Sequence, residues 1–342
     1  MIDSRLFDWY GIDINKNLKI KDVCARPFDT ILIDKNGSCF ACECTAWLPQ
    51  SIGNLHKQEL ESILLDPIRK NIQSTVQDNS FRLCNNTQCS YIISGLVSNT
   101  KYYQNKSLEN VRLAIDDSCN LSCPSCRKKK IFLKSGKNFK MRLNLADKIL
   151  NFLENNKEKN FNVHIGSDGD PFASIVYRYF MMKTKNLKNL KYTIQTNGLL
   201  VKKNFHKFKH IINNLTQIGI SIDGATKQTY ESLRVGGKFE KVIENLEFLK
   251  EIKNFDVHLH VVVQQKNYHE IEEIIQLGLK YNVDKIHLNK ITDWNTIENF
   301  KENAVWSKDH KENKNLLDII DKIKKIKFKK DFFLEYSTLI LI

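Results

Sequence analysis

The chain has 342 residues, 42% hydrophobic and 27% charged, with five prolines and no low-complexity tract, an ordinary globular composition that can bury one large core, or one core plus a smaller satellite domain. Met1 to Trp9 holds no basic stretch followed by an apolar run, and the apolar tail Leu339 to Ile342 is too short to span a bilayer, which reads as a cytoplasmic protein without a membrane partner. The formal charge of +14 raises nucleic acid as a partner, but only nine of the 53 basic residues are arginine and the lysines are scattered. Apart from runs at Arg127–Lys130 and Lys322–Lys330, the excess reads as a solvated surface.

Nine cysteines outside a secretory context point to metal ligation or catalysis before disulfides. Six of them, Cys24, Cys39, Cys42, Cys44, Cys84 and Cys89, fall before position 90. There Thr30–Asp34 reads as a strand leading into a tight turn at Lys35-Asn36-Gly37, and Leu60–Asn71 as a short helix. Cysteines bracket both elements, as in a small domain that metal holds together because its own core is slight.

From residue 111 onward, short apolar runs alternate with amphipathic stretches. Strands are predicted at Val111–Asp116, Val163–Gly166, Lys191–Thr196, Ile218–Asp223, His258–Gln264 and Lys285–Asn289. Helices are predicted at Leu143–Asn155, Ile175–Lys185, Phe205–Asn214, Thr226–Leu233, Phe239–Ile252 and His269–Tyr281. Six strands separated by helices give an α/β fold of parallel units, either an open doubly wound sheet or a partial (β/α)6 barrel of the TIM type. The pattern within the strands favours the barrel. His164 with Gly166, Thr193 with Gln195, Ser221 with Asp223, His258 with His260 and Gln264, and His287 with Asn289 each share a strand face. A sheet buried on both sides would read as almost continuously apolar, so these polar faces describe a wet cavity.

The chemistry concentrates at the strand ends. Ala114-Ile115-Asp116-Asp117-Ser118-Cys119-Asn120-Leu121-Ser122-Cys123-Pro124-Ser125-Cys126 sets three thiols on one loop after the first of these strands. Three thiolates suit an iron–sulfur cube with one iron left open, while a structural zinc ion, which ordinarily takes four protein ligands, is the competing reading. Gly166-Ser167-Asp168-Gly169-Asp170-Pro171-Phe172 closes the second strand and Thr196-Asn197-Gly198 the third. Ile220-Ser221-Ile222-Asp223-Gly224-Ala225-Thr226 closes the fourth, followed by Tyr230 and Arg234-Val235-Gly236-Gly237.

Taken together, these stretches resemble the radical SAM superfamily. CNLSCPSC is similar to its CxxxCxxC signature, and residues 166–172 to its GGE-type motif, with Asp170 where Glu is common. SIDGAT, Tyr230 and Arg234 to Gly237 resemble the peptide- and sugar-modifying branch, and the likeness runs from about residue 111 to 300. It implies that Cys119, Cys123 and Cys126 hold three irons of a [4Fe–4S] cluster and that S-adenosylmethionine chelates the fourth. Asp170, with the backbone near Gly169, would hold the methionyl ammonium. Thr196, Asn197 and Ser221 would face the ribose or methionyl part, and Arg234 would pair with the cofactor carboxylate. Ser125 stands where an aromatic residue often packs on adenine, so adenine contacts are expected elsewhere, at Val262 and its neighbours. The implied chemistry is reductive cleavage of the cofactor to a 5′-deoxyadenosyl radical, fed by a reductant such as flavodoxin or ferredoxin.

The first third resembles the SPASM and twitch domains that hold auxiliary iron–sulfur clusters, placed here before the barrel. The matching residues are Cys24-Ala25-Arg26-Pro27-Phe28, Asp34-Lys35-Asn36-Gly37, Cys42, Ile52-Gly53-Asn54-Leu55, Cys84 and Cys89. The likeness implies Cys24, Cys42, Cys84 and Cys89 as ligands of an auxiliary cluster, with Cys44 competing with Cys42, Cys39 a small buried hydrophobe, and zinc the competing occupant. If the reaction inverts a stereocentre, Cys39 and Cys44 are the thiols left to return a hydrogen. The expected organisation is an auxiliary-cluster domain over 1–106, a radical SAM barrel over 107–300 and a helical extension over 301–342. Polar strand faces imply a hydrophilic substrate, a sugar or aminoglycoside-like compound or a peptide, undergoing epimerisation, dehydrogenation or cross-linking. The rival from another class is a non-catalytic zinc or iron–sulfur module contacting nucleic acid. Asp170, Arg234 and the polar faces argue against it.

Overall fold

The computed structural model describes residues 24–78, 80–85, 107–326 and 332–336, with Cys89, Ile92, Phe328 and Leu339 as single positions. The readings of Met1–Trp9, of the residues after Leu339 and of the end of the basic run Lys322–Lys330 lie outside the described residues. Among the described residues, ten strands form one mixed sheet, which bears out the α/β, partial TIM-type architecture with a cysteine-rich amino-terminal region. No described helix is long and apolar enough to cross a membrane. Two compact units divide the chain, and their boundaries do not follow chain order. The first comprises Met1–Asp117, Lys134–Asp168 and Val176–Tyr192, and the second Ser118–Leu133, Gly169–Ile175 and Thr193–Ile342.

In the first unit, β1 (Thr30–Asp34) and β2 (Ser38–Phe40) form the expected hairpin. Asp34 Oδ1 accepts from the amides of Asn36 and Ser38, both at 2.8 Å, and Gly37 takes φ 78°, which suits glycine in the turn. β3 (Ser51–Asn54) pairs with β2. β4 (Asn110–Ala114) runs parallel to both β1 and β5 (Phe161–Ile165), with Thr30 opposite Asn110 and Asn110 opposite Asn162. The single helix expected at Leu60–Asn71 is two, Leu60–Leu64 and Pro67–Gln77. Pro67 cannot continue a helix without clashing with the preceding turn, and Asp66 Oδ1 caps the new start through the Ile68 amide at 2.8 Å. Helix Gly136–Asn155 begins earlier than the apolar period predicts. Its first turns are exposed, so no buried stripe marks them in the sequence.

β6 (Leu190–Thr196) carries the chain from the first unit into the second. There β7 (Leu215–Ser221), β8 (Asp256–Val263), β9 (Lys285–Lys290) and β10 (Phe333–Glu335) lie side by side, all parallel. Helix Ile271–Lys280 buries Ile271, Ile274, Ile275 and Gly278, the one-face period of an amphipathic helix. A Cβ on Gly278 would come within 2.6 Å of Ile286 Cδ1, so the glycine lets this helix lie close on β9. The polar strand faces are partly dry: His258, His287, Asp223 and Gln264 are buried, while His164, Thr193, Gln195, Ser221, His260 and Asn289 stay half-exposed. His258 and His287 meet at 3.2 Å between ring nitrogens, and Asp223 is taken up by Arg234 and the Val262 amide, so these buried groups have protein partners.

Candidate cofactor site and cysteine clusters

The acids after β4, Asp116 and Asp117, are buried and paired with the Arg142 guanidinium, and Lys35 Nζ donates to Asp117 Oδ2 at 2.6 Å. Burial alone would raise the Asp117 carboxyl, but Lys35 and Arg142 outweigh it and hold it below the usual range. Residues 118–133 then close on themselves. The Cys119 amide donates to Ile131 O at 2.9 Å and the Leu133 amide to Ser118 Oγ at 3.0 Å. The amides of Cys126 and Arg127 both donate to Cys123 O, at 2.9 and 3.0 Å, which turns the chain so that the third thiol follows closely on the second.

Each of the three sulfurs faces an N–H donor. Cys119 Sγ accepts from the Leu121 amide at 3.4 Å and from Asn197 Nδ2 at 3.6 Å. Arg234 Nη1 lies 4.0 Å from Cys123 Sγ, and Arg127 Nη2 lies 3.3 Å from Cys126 Sγ. Cys119 and Cys123 are buried and Cys126 is exposed. Burial pushes the Cys119 thiol up to about 11 and also raises Cys123, where Arg234 opposes it. A buried thiol is costly to ionise alone, whereas a metal replaces its proton and N–H donors spread the remaining charge. This donor set fits a cluster held by three cysteines from one side.

Asp170 is the hub of the adjoining residues. It is fully buried, and its Oδ1 accepts from the amides of Phe172 and Ala173 at 3.1 and 3.0 Å. Its Oδ2 accepts from Thr196 Oγ1 at 2.6 Å and the Asn197 amide at 2.9 Å. Burial raises its carboxyl despite these four donors. The four bonds use the acceptor capacity of the carboxylate, so Asp170 acts within the protein as the tie between its own loop and the end of β6. Asn197 continues the chain of contacts, donating from Nδ2 to Asn120 Oδ1 at 2.8 Å. Gly169, with φ 68°, sets the turn into Asp170.

Beyond β7, Asp223 is fully buried and organises the SIDGAT loop. It forms an ion pair with Arg234 Nε at 2.8 Å and accepts from the Val262 amide at 2.9 Å. Burial works against the charge of Arg234, but Asp223 outweighs it and keeps the guanidinium protonated. Ser221 Oγ accepts from Gln195 Nε2 at 2.8 Å, and Val262 is half-buried on β8. Gly169, Asp170, Thr196, Asn197, Ser221, Arg234, Val262 and the three cysteines therefore belong to one compact unit. Sequence reading missed two supports, Asp223 and Glu270. Glu270 Oε2 accepts from the Ala225 amide at 2.7 Å and its Oε1 from Thr226 Oγ1 at 2.8 Å, so it staples the loop from more than forty positions away. No local pattern in the sequence signals that contact. Gly224 is similarly constrained, since a Cβ there would meet the Tyr230 backbone nitrogen at 2.6 Å. Gly224→Ala is expected to destabilise the protein by about 1–3 kcal/mol, read as a lower midpoint in chemical denaturation.

Cys24 lies within electrostatic range of Cys89 and Cys84, and Cys42 within that of Cys24 and Cys89. Burial pushes Cys24 up to about 12 and Cys84 up to about 11. Cys39 is fully buried in β2, its S–H directed to Gly37 O at 3.6 Å, and Cys44 lies beside Glu43 and Arg112. None of the nine cysteines is in a disulfide.

The sequence model of the Radical SAM superfamily matches residues 115–278. Among curated proteins, a "Probable GTP 3',8-cyclase" of Saccharolobus islandicus is 26% identical over 188 residues, covering 54% of this chain and 57% of that protein. A "GTP 3',8-cyclase" of Alkaliphilus metalliredigens is 28% identical over 184 residues, 52% of this chain and 55% of its own length. The match thus spans little more than half the length of these relatives. Among solved structures, Streptococcus suis SuiB bound to S-adenosylmethionine is 17% identical with a TM-score of 0.45, covering 68% of this chain and 48% of that one. A structure titled "Native anSMEcpe with bound AdoMet" gives 16% identity and a TM-score of 0.41, covering 54% of this chain and 52% of that one. With its three-cysteine loop and its ordered strand-end motifs, the matched segment 115–278 is a Radical SAM domain, of the family that works with a [4Fe–4S] cluster and S-adenosylmethionine.

Proposed function

We propose that this enzyme binds its cluster through Cys119, Cys123 and Cys126, binds S-adenosylmethionine around Gly169, Thr196, Asn197, Ser221, Arg234 and Val262, and acts on a hydrophilic substrate. When bound, cluster and cofactor supply a 5′-deoxyadenosyl radical that takes a hydrogen atom from the substrate. Asp170 keeps Thr196 and Asn197 in place beside the backbone that receives the methionyl ammonium. Arg234, held by Asp223, offers its remaining N–H groups to the cofactor carboxylate. Cys24, Cys42, Cys84 and Cys89 hold an auxiliary iron–sulfur cluster, in the manner of a SPASM or twitch domain. A flavodoxin or ferredoxin supplies the electron, and nine cysteines without a disulfide suit the reducing cytoplasm.

The observation that carries the substrate class is a polar row across the strands of the second unit. Its accessible members are the half-exposed Gln195 of β6, which donates to Ser221 of β7, and Asn289 of β9. Such a row recognises hydroxyl and amide groups, as in a sugar, an aminoglycoside-like compound or a peptide, and fits epimerisation, dehydrogenation or cross-linking. The names of the curated relatives favour a second reading within the same class, a guanine nucleotide. Anaerobically reconstituted enzyme with dithionite, S-adenosylmethionine and each candidate in turn decides between them. One hydrophilic compound is expected to raise 5′-deoxyadenosine well above the uncoupled rate and, when deuterated, to pass its label to it. Stimulation by GTP selects the second reading, and stimulation by none of these compounds overturns the substrate class. If the product is an epimer, Cys44 is the better hydrogen donor of the two remaining thiols, because the S–H of Cys39 is buried and engaged.

A further inference from the structure

Three histidines with no part in the cofactor site stand together in the second unit. His258 and His260 lie two residues apart on β8 and so share a face, and His287 on β9 is the register partner of His260. His258 Nδ1 and His287 Nε2 are 3.2 Å apart, and the rings of His260 and His287 stack at 4.3 Å with an interplanar angle of 11°. One ring nitrogen from each of the three lies within 4.8 Å of the other two. His258 and His287 are buried and His260 is half-buried.

We propose that His258, His260 and His287 form a binding site for one divalent ion of the zinc class, with Glu335 orienting His287. Two imidazole nitrogens bound at about 2.0–2.1 Å in a tetrahedral site sit roughly 3.3 Å apart, close to the His258–His287 separation. Rotation of the stacked His260 ring about its terminal torsion closes the third distance, and that torsion is soft. Imidazole must be neutral to bind a metal, and burial holds His258 at about 2 and His287 well below its ordinary value. Glu335 Oε2 lies 3.8 Å from His287 Nδ1, the nitrogen opposite the one that faces His258, as a carboxylate behind a ligating histidine would. The charged groups around the cluster are Glu335, Lys285 and Lys253. Lys285 sets its Nζ 4.1 Å over the Phe333 ring and Lys253 is paired with Asp284 at 2.7 Å, and both cations add to the lowering of His258 by burial. Three imidazoles leave a fourth position for water or an oxygen of a ligand. The site stands on these residues alone and does not depend on the cofactor assignment.

The test uses the iron-loaded enzyme, given one equivalent of zinc sulfate and desalted, with zinc and iron both measured and zinc K-edge X-ray absorption recorded. One retained zinc per chain is expected, with nitrogen or oxygen neighbours at about 2.0–2.1 Å and unchanged iron. His287→Ala and His260→Asn are each expected to lose the zinc and keep the iron, and Glu335→Gln to weaken zinc binding about 10–100-fold. His260 is half-buried, so its variant decides the matter should the buried His287→Ala fail to fold. Three results would overturn the site: no zinc retained, zinc with a sulfur shell near about 2.3 Å, or retention that survives His260→Asn. In each of these the 3.2 Å contact is a plain histidine–histidine hydrogen bond.

Discussion

Replacing Cys119, Cys123 and Cys126 together by alanine is expected to abolish 5′-deoxyadenosine formation and to lower the iron content from about eight atoms per chain to about four. The three thiols share one loop whose internal bonds, Cys119 to Ile131 and Cys126 to Cys123, do not involve the sulfurs, so the loop survives the change. The four irons that remain are those assigned to Cys24, Cys42, Cys84 and Cys89, and their retention shows that the protein is folded. Without the cluster there is no electron path to the sulfonium of the cofactor, so the loss is total and not a matter of degree. Iron analysis, electron paramagnetic resonance of the reduced protein and chromatography of the cofactor products check it. Cleavage by the triple variant would sink the assignment of the cluster. Iron content unchanged at about eight would do the same.

Asp170→Ala is expected to weaken S-adenosylmethionine binding at least about tenfold, while iron stays at the wild-type level. Four donors converge on this buried carboxylate, from Phe172, Ala173, Thr196 and Asn197. Alanine leaves them without an acceptor, and each unsatisfied buried group costs about 1–3 kcal/mol. Water entering the vacated space recovers part of that, so a net destabilisation of roughly 3 kcal/mol is expected, seen in the denaturation midpoint. Asn197 also donates to Cys119 Sγ, so the altered loop shifts the electron paramagnetic resonance signal of the reduced cluster. Asp170→Asn keeps one acceptor oxygen and should fall between wild type and alanine in both affinity and stability. Wild-type affinity in the alanine variant would show that Asp170 neither holds the cofactor nor positions what does.

Much of the fold is legible along the chain because its signals are local. Helix Phe239–Ile252 is present at its predicted ends, since its apolar period is visible residue by residue. The hairpin at Asp34 to Gly37 is equally local, resting on an Asp side chain and a glycine within four positions. The break at Asp66-Pro67 was readable from the proline, and the apolar run that spans it concealed the stop. The cysteine loop could be read because its ligands lie within eight residues of one another. Strand faces were legible as polar, yet which of their residues stay open to solvent was not, because solvent access depends on what lies across the sheet.

By itself, then, the sequence determined the alternation of strands and helices, the three-cysteine loop and the order of the strand-end motifs, all of which are written in spacings of a few residues. Only the tertiary structure decided that the Cys39 thiol is buried and engaged, its S–H directed to Gly37 O. It alone decided that the Asp170 carboxylate is committed to the protein and that Glu270 staples the SIDGAT loop. The convergence of His258, His260 and His287 is of the same kind. It depends on the register of β9 against β8, and the close approach of helix Ile271–Lys280 at Gly278 packs that pair. Register and close packing join residues far apart in the chain, and no local period carries that information.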